Sequence, residues 1–340
     1  MDFDTLVAKI SEQYQNSESR KWTRELLQNL NRNRKIESAN SNRIRPVLYR
    51  PFVTTNLYFD PNLIKCLFQI SKLFPIGKEN KCILISDGNS SLSTLMTNVL
   101  PDQHVLNPSD YLLPLYWYKE ERSSGLLDEK NSERRSAISL KALDLYRSVY
   151  EDPSISPEDV FYYVYGILNS EEYREKWKND FIHDLPHIPL SRNFSEFKKI
   201  GKALGELHIN YESATPYPGA KVICEGDPGS IKKMSWDKKN PGTLHITDRL
   251  SITDIPKEAN LWKIGGKSPL EWAINQYQVK RDTKSGIIND PNALGAEYIK
   301  NLILRLITVS LESQKLVNSL PKIAEVNNVD YRQIWKDTTR

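Results

Sequence analysis

The chain has 340 residues, about two domains' worth at about 150 residues each, and its 39% apolar and 26% charged residues allow a sizeable core under a polar surface. The formal charge, +4 from 47 basic and 43 acidic residues, says little about partners, but no run of about 18 apolar residues exists, which rules out a spanning helix, and no membrane partner is expected. Cys66, Cys82 and Cys224 lie far apart without CxxC spacing, so neither a disulfide framework nor a zinc ribbon is indicated.

The N-terminus MDFDTLVAKISEQ carries acid where a signal peptide needs basic then apolar sequence, so the cytoplasm is the expected compartment. Phe3, Leu6, Val7, Ile10 and Tyr14 recur at helical spacing and predict a first helix. The basic segment RKWTRELLQNLNRNRK follows and gives way to the loop ESANSNRIRP. VLYRPFVTTNLYFD is rich in β-branched and aromatic residues and predicts strands, with Pro51 at an edge or bend. Asp60 is expected to cap a helix that starts at Pro61 and turns Leu63, Ile64, Leu67, Phe68 and Ile70 inward. CILIS, residues 82–86, reads as a buried strand ending in the turn DGN.

A polar stretch at 119–136 reads as a linker or long surface loop, and a helical block starts near Ala137. Ser156-Pro157-Glu158-Asp159 is a capping box opening VFYYVYGIL, Ser170 opens EEYREKWKNDF, and FSEFKKIGKALGELHINYE follows the Pro-punctuated LPHIPL. The aromatics Phe161, Tyr162, Tyr163, Tyr165, Tyr173 and Trp177 are read as helix–helix packing. From 219 to 265 the runs KVIC, TLHIT and LWKI read as β, between Gly, Pro and Asp. Ser268-Pro269-Leu270-Glu271 is a second capping box, KRDTKSGIINDPN a polar loop, and a stripe from Tyr298 to Val309 marks one long helix over about 295–319. The expected fold is mixed α/β (α+β): strand-containing N-terminal and 219–265 regions around a central helical block, with a long C-terminal helix. The expected parts are 1–118 (mixed), 119–136 (linker or loop), 137–215 (helical) and 216–325 (mixed β/α), forming one integrated module.

Catalytic patterns are weak. No GxxxxGK[ST] exists, and GKALGE at 201–206 sits inside a helical pattern, where close helix packing is the simpler reading. Asn107-Pro108-Ser109-Asp110-Tyr111 only superficially resembles a base-holding methyltransferase loop, lacking its second proline and a glycine-rich donor loop. His183 and His187 are four apart, but Pro186 breaks a shared helix face, and a third ligand would have to come from residues such as His208 or Asp184. Glu151, Asp152, Glu158 and Asp159 cluster, yet capping explains the last two. No catalytic residue or metal ligand is assigned.

Nine basic residues (Arg20, Lys21, Arg24, Arg32, Arg34, Lys35, Arg43, Arg45, Arg50) face two acids (Glu25, Glu37) between positions 20 and 50. Such an excess is either a solvated helix and loop or a polyanion-binding surface.

Several ordered blocks resemble one family. They are Tyr49-Arg50-Pro51-Phe52 with Leu57-Tyr58-Phe59-Asp60, Leu113-Pro114-Leu115-Tyr116, Glu158 to Leu168 with Glu172-Tyr173-Arg174, Leu185 to Leu190, and Leu207-His208 with Tyr211-Glu212. The densest are Gly265-Gly266-Lys267-Ser268 with Leu270-Glu271-Trp272, Tyr277-Gln278-Val279-Lys280, and Ser285 to Asn292. Together they resemble the C-terminal target-recognition region of type ISP restriction–modification enzymes, over about 20–320. Lys267 stands where an arginine is common, Asn169 where a histidine is usual, and His187 where an arginine is usual.

The resemblance implies a free-standing or excised domain that recognises double-stranded DNA and directs adenine methylation and cleavage by other domains or subunits. It implies methyltransferase and helicase/nuclease partners, and no cofactor in this chain: S-adenosylmethionine, ATP and Mg²⁺ would serve the missing family domains. It raises Arg32, Arg34, Arg43, Arg45 and Asn42 to candidate DNA contacts, since arginine pairs with guanine and asparagine with adenine in the major groove. Arg50, Lys267, Lys280, Arg281 and Lys284 are the further candidates, Arg50 being as well suited to an internal carboxylate. Two other readings stay open: a docking module for a separate methyltransferase–translocase subunit, and a stand-alone metal-dependent nuclease.

Overall fold

The computed structural model describes residues 28–29, 31–32, 40–60, 63–64, 67–86, 92–106, 110–120, 132–177, 185–281, 283 and 288–326. The expected first helix at 3–14, the DGN turn, Asn107–Ser109, His183, Asp184, Arg34 and Lys284 lie outside them. Among the described residues the fold is mixed α/β, with small sheets, helices and one long C-terminal helix.

The first layer is built from short strands. β1 (Ile44–Arg50) pairs antiparallel with β2 (Val53–Tyr58) around the two residues Pro51 and Phe52. Phe52 takes a left-handed φ of 58°, a conformation that costs a bulky residue energy unless its surroundings over-determine it. Here they do: its ring is buried and meets the rings of Tyr211 at 5.4 Å, His208 at 6.1 Å and Trp262 at 6.1 Å. α1 (Ile70–Leu73) precedes β3 (Cys82–Ser86), the centre of a sheet between β4 (Ser93–Thr97) and β6 (Tyr111–Pro114), while β5 (Leu100–Pro101) lies parallel to β1. All five residues of β3 are buried, because both faces of the strand are covered, as an unbroken apolar run requires. β7 (Tyr116–Glu120) and β8 (Ser132–Ser136) form a ribbon, so both ends of the polar 119–136 stretch are strand and not loop.

The helical layer follows the predicted signals closely. α2 (Leu140–Val149) leads to α3 (Pro157–Asn169), where Ser156 and Asp159 form the capping box, then α4 (Glu171–Lys176), capped by Ser170. α5 (Phe194–Ile209) packs against α3 with backbones in contact. A Cβ on Gly201 would fall 2.0 Å from the Tyr162 carbonyl oxygen, and one on Gly166 would fall 2.3 Å from that of Phe197. GKALGE is therefore a close-packing segment. The predicted packing aromatics Phe161, Tyr162, Tyr163, Tyr165 and Tyr173 are buried, and Trp177 packs beside them.

A four-stranded sheet follows: β9 (Lys221–Cys224), β10 (Ser235–Trp236), β11 (Leu244–His245) and β12 (Leu250–Thr253), in the order β10-β11-β12-β9. α6 (Pro269–Gln276) starts at its predicted capping box. The polar loop beyond it holds a small ribbon, β13 (Lys280–Arg281) with β14 (Ile288–Asn289), and a 3-10 turn capped by Asp290. α7 (Ala296–Asn318) buries Ile299, Leu302, Ile303, Leu306, Ile307 and Val309 against α5 and α6.

Two local expectations fail. In the helix expected from Pro61, the described residues Leu63, Ile64 and 67–69 are not helical, helix forms only at Ile70–Leu73, and Phe68 faces solvent at 74% exposure and φ 45°. The Asp60 carboxylate is buried in an ion pair with Arg43. LWKI is likewise not a strand: it follows a 3-10 turn at Lys257–Asn260, and Trp262 enters the core to stack on His208 at 4.7 Å.

Candidate nucleic-acid interface

The N-terminal arginines divide by their partners. Arg32 is exposed at the end of a helical turn whose Arg32 N–H donates to the Gln28 carbonyl. Asn40 caps the 3-10 turn Ser41–Arg43, its Oδ1 accepting the Asn42 N–H at 3.0 Å, and this leaves the Asn42 side chain at the surface. Arg43 is fastened to Asp60. Arg45 donates to the Phe74 carbonyl at 2.6 Å, lies 5.4 Å over the Phe59 ring, and has its pKa lowered by burial. Arg50 pairs with Asp102 at 3.3 Å, donates to its neighbour's carbonyl and stacks on Tyr49 at 4.1 Å. The expected flexible arginine loop is thus, from Asn40 on, a capped turn running into β1. Arg43, Arg45 and Arg50 are committed to the protein, because a planar guanidinium satisfies carboxylates, carbonyls and rings at once.

Lys267 lies in a tight turn in which Gly265 and Gly266 take positive φ values of 57° and 80°, and its ammonium sits 4.7 Å over the Trp272 ring. The glycine pair does not make a phosphate cradle. At the following helix start, Ser268 Oγ accepts the Glu271 N–H and the Glu271 carboxylate accepts the Ser268 N–H at 2.7 Å. A carboxylate thus occupies the place an anion would take.

Lys280 and Arg281 are exposed on β13, with Lys280 Nζ donating to the Asn275 carbonyl at 3.0 Å. Their ribbon is tied to a distant segment. The Val279 N–H donates to the Lys232 carbonyl at 2.9 Å, and Asn292 bonds Ile231 through both its amide oxygen and nitrogen. This ties Lys232 to the segment that carries β13; Lys233 follows it, and Lys238 and Lys239 lie on the β10–β11 turn; all four are exposed. Asp237, the single acid in 229–241, faces inward on its own turn. It accepts from the Asn240 side chain, the Lys239 and Asn240 N–H groups and His245, and these bonds hold its carboxyl well below the usual range. Sequence reasoning missed these lysines; the signal was the doubled KK…KK around one acid.

The acidic and histidine candidates have structural roles. Glu158 accepts from the Tyr116 hydroxyl, Asp159 serves its capping box and pairs with Lys198 at 3.0 Å, and Asp152 accepts from Ser154. His208 is buried, with Tyr165 Oη 2.6 Å from Nδ1 and Ser313 Oγ 2.9 Å from Nε2, so it is not free to ligate a metal. Burial, then the nearby Arg174 charge, pushes its pKa down to about 3. Asn169, at one departure from the family pattern, accepts from the Arg174 guanidinium at 3.1 Å, while His187 acts through its carbonyl, which accepts from Tyr173. Among the described residues no group of three or more His, Cys, Asp and Glu is placed to hold a metal.

The sequence matches the family described as Type ISP C-terminal specificity domain over residues 3–304. No match is found among curated proteins. Three solved structures are similar. The ATP-dependent type ISP restriction–modification enzyme LlaBIII bound to DNA is 33% identical over 95% of this chain and 21% of its own, with a TM-score of 0.82. A nuclease-deletion mutant of the type ISP restriction–modification enzyme LlaGI in complex with a DNA substrate mimic is 32% identical over 91% of this chain and 23% of its own, with a TM-score of 0.76. A DrdV–DNA complex is 30% identical over 94% of this chain and 32% of its own, with a TM-score of 0.78. The chain spans about a fifth to a third of the length of these enzymes. With a match across most of its sequence and a shared fold over nearly its whole length, the chain belongs to the type ISP C-terminal specificity domain family.

Proposed function

We propose that this chain recognises a specific double-stranded DNA sequence for a type ISP restriction–modification system. Adenine methylation and cleavage are then carried out by other domains or subunits, in the cytoplasm. S-adenosylmethionine, ATP and Mg²⁺ belong to those other parts. One observation carries the reading: the fold shared with three DNA-bound enzymes extends over 91–95% of this chain and leaves little of it for another task. The exposed cations of the β10–β11 and β13–β14 region supply suitable chemistry, since charge draws a duplex in and hydrogen bonds at base edges select its sequence.

The test is fluorescence anisotropy with a randomised duplex pool at low and moderate salt, followed by sequencing of the bound fraction. The expected result is one asymmetric motif enriched at moderate salt. Binding that vanishes with salt and enriches nothing overturns the reading and favours docking to a separate subunit. One feature supports that second reading, an apolar groove of about 750 Å³ between β1–β2 and α1, rimmed by exposed Tyr49, Phe68 and Tyr111.

A further inference from the structure

We propose that Lys232, Lys233, Lys238 and Lys239, with Lys280 and Arg281, form a phosphate-tracking surface that positions duplex DNA without reading its sequence. The proposal rests on the function proposed above and adds which surface supplies affinity and which does not supply specificity.

Three observations carry it. First, the cations come from segments about 40 residues apart in sequence that are joined by the Val279 N–H to the Lys232 carbonyl and by the Asn292 side chain to Ile231, while Asn289 Nδ2 braces the β13–β14 segment on the Gln276 and Gln278 carbonyls. The surface therefore has a fixed frame and not a loose one. Second, among the described residues none of the six pairs with a carboxylate; Asp237, beside Lys238, is held by its own turn, and Arg281 is followed in sequence by Asp282. Exposed cations that pair with no carboxylate are what a polyanion meets first. Third, five of the six are lysines. An ammonium on a flexible four-carbon stem is a strongly hydrated point charge; it suits phosphate oxygens, whereas base discrimination rests on planar, paired donors.

The β1 arginines complete the contrast. They have the planar chemistry for base edges, but Arg43, Arg45 and Arg50 hold protein groups.

The experiment uses the full chain and the quadruple variant Lys232→Ala/Lys233→Ala/Lys238→Ala/Lys239→Ala. Affinity is measured across a salt series for the duplex selected from the pool and for a scrambled duplex of equal length. Each lysine that neutralises a phosphate contributes about 0.9 to the slope of log affinity against log salt, so the slope is expected to fall by about 3 to 4. Affinity is expected to fall at least roughly tenfold on both duplexes, with the ratio between them unchanged and the melting temperature unmoved. An unchanged slope overturns the proposal, and so does a collapse of the ratio, which would make these lysines readers of sequence. Tighter binding of the parent chain to an RNA duplex than to DNA overturns the choice of partner. A parent chain that binds duplexes without preference sinks the function proposed above, while the slope still decides the role of the lysines.

Discussion

The two basic regions of this domain carry similar charge in sequence and use it in opposite ways. In the β1 region the cations are arginines, and Arg43, Arg45 and Arg50 turn inward to Asp60, the Phe74 carbonyl and Asp102. In the β10–β11 and β13–β14 region the cations are mostly lysines, and they stay in water. The difference teaches that a run of positive residues is not a measure of available positive surface. Side-chain geometry and the carbonyls and carboxylates that the fold brings near decide that.

The comparison breaks most sharply at the ion pair. Arg43→Ala takes the guanidinium away from the buried Asp60 carboxylate, and breaking a buried ion pair costs about 3 kcal/mol. A lower urea midpoint with an unchanged slope is expected; a midpoint within error of the parent would return Arg43 to the list of free cations.

The next effect sharpens the comparison through acid. His208 packs beneath the β1–β2 hairpin against Phe52, neutral, with its pKa at about 3 when folded. The unfolded imidazole takes up a proton near pH 6.5, so the stability from keeping it neutral is complete above that pH and is lost as pH falls toward 3. The loss at pH 5 is about 2 kcal/mol. His208→Gln should flatten the stability profile between pH 6.5 and 4, and an unaltered profile would remove His208 as its cause.

The smallest effect falls on the exposed face. Lys238→Ala/Lys239→Ala should change stability by less than about 0.5 kcal/mol, because neither side chain holds a carboxylate or enters the core. Thermal melts of parent and variant are the check, and a loss comparable to Arg43→Ala would show the two regions to be alike.

Much of the helical architecture was legible. Both capping boxes form where Ser-Pro-x-Glu/Asp stands, and α7 at Ala296–Asn318 lies within a residue of its striped prediction at each end. The legible elements carry their signals locally, in caps and in the period of apolar residues. The motifs that carried the family resemblance also prove to be core builders: Phe52 of YRPF sits among three rings, and Asn292 of SGIINDPN bolts Ile231. The failures were non-local. Asp60-Pro61 has the form of a helix start, but Leu63, Ile64 and residues 67–69 are not helical, and the Asp60 carboxylate pairs with a cation 17 residues earlier. The lysine surface was missed because its halves meet only through contacts between residues about 47 apart in sequence, as from Val279 to Lys232.

The sequence by itself determined where most helices begin and end, that the core is mixed α/β, and that the surface is polar with local basic excess, since caps, period and composition act over a few residues. Only the tertiary structure decided which cations remain available. That depends on desolvation and on partners delivered by other strands, and these exist only once the chain has closed on itself.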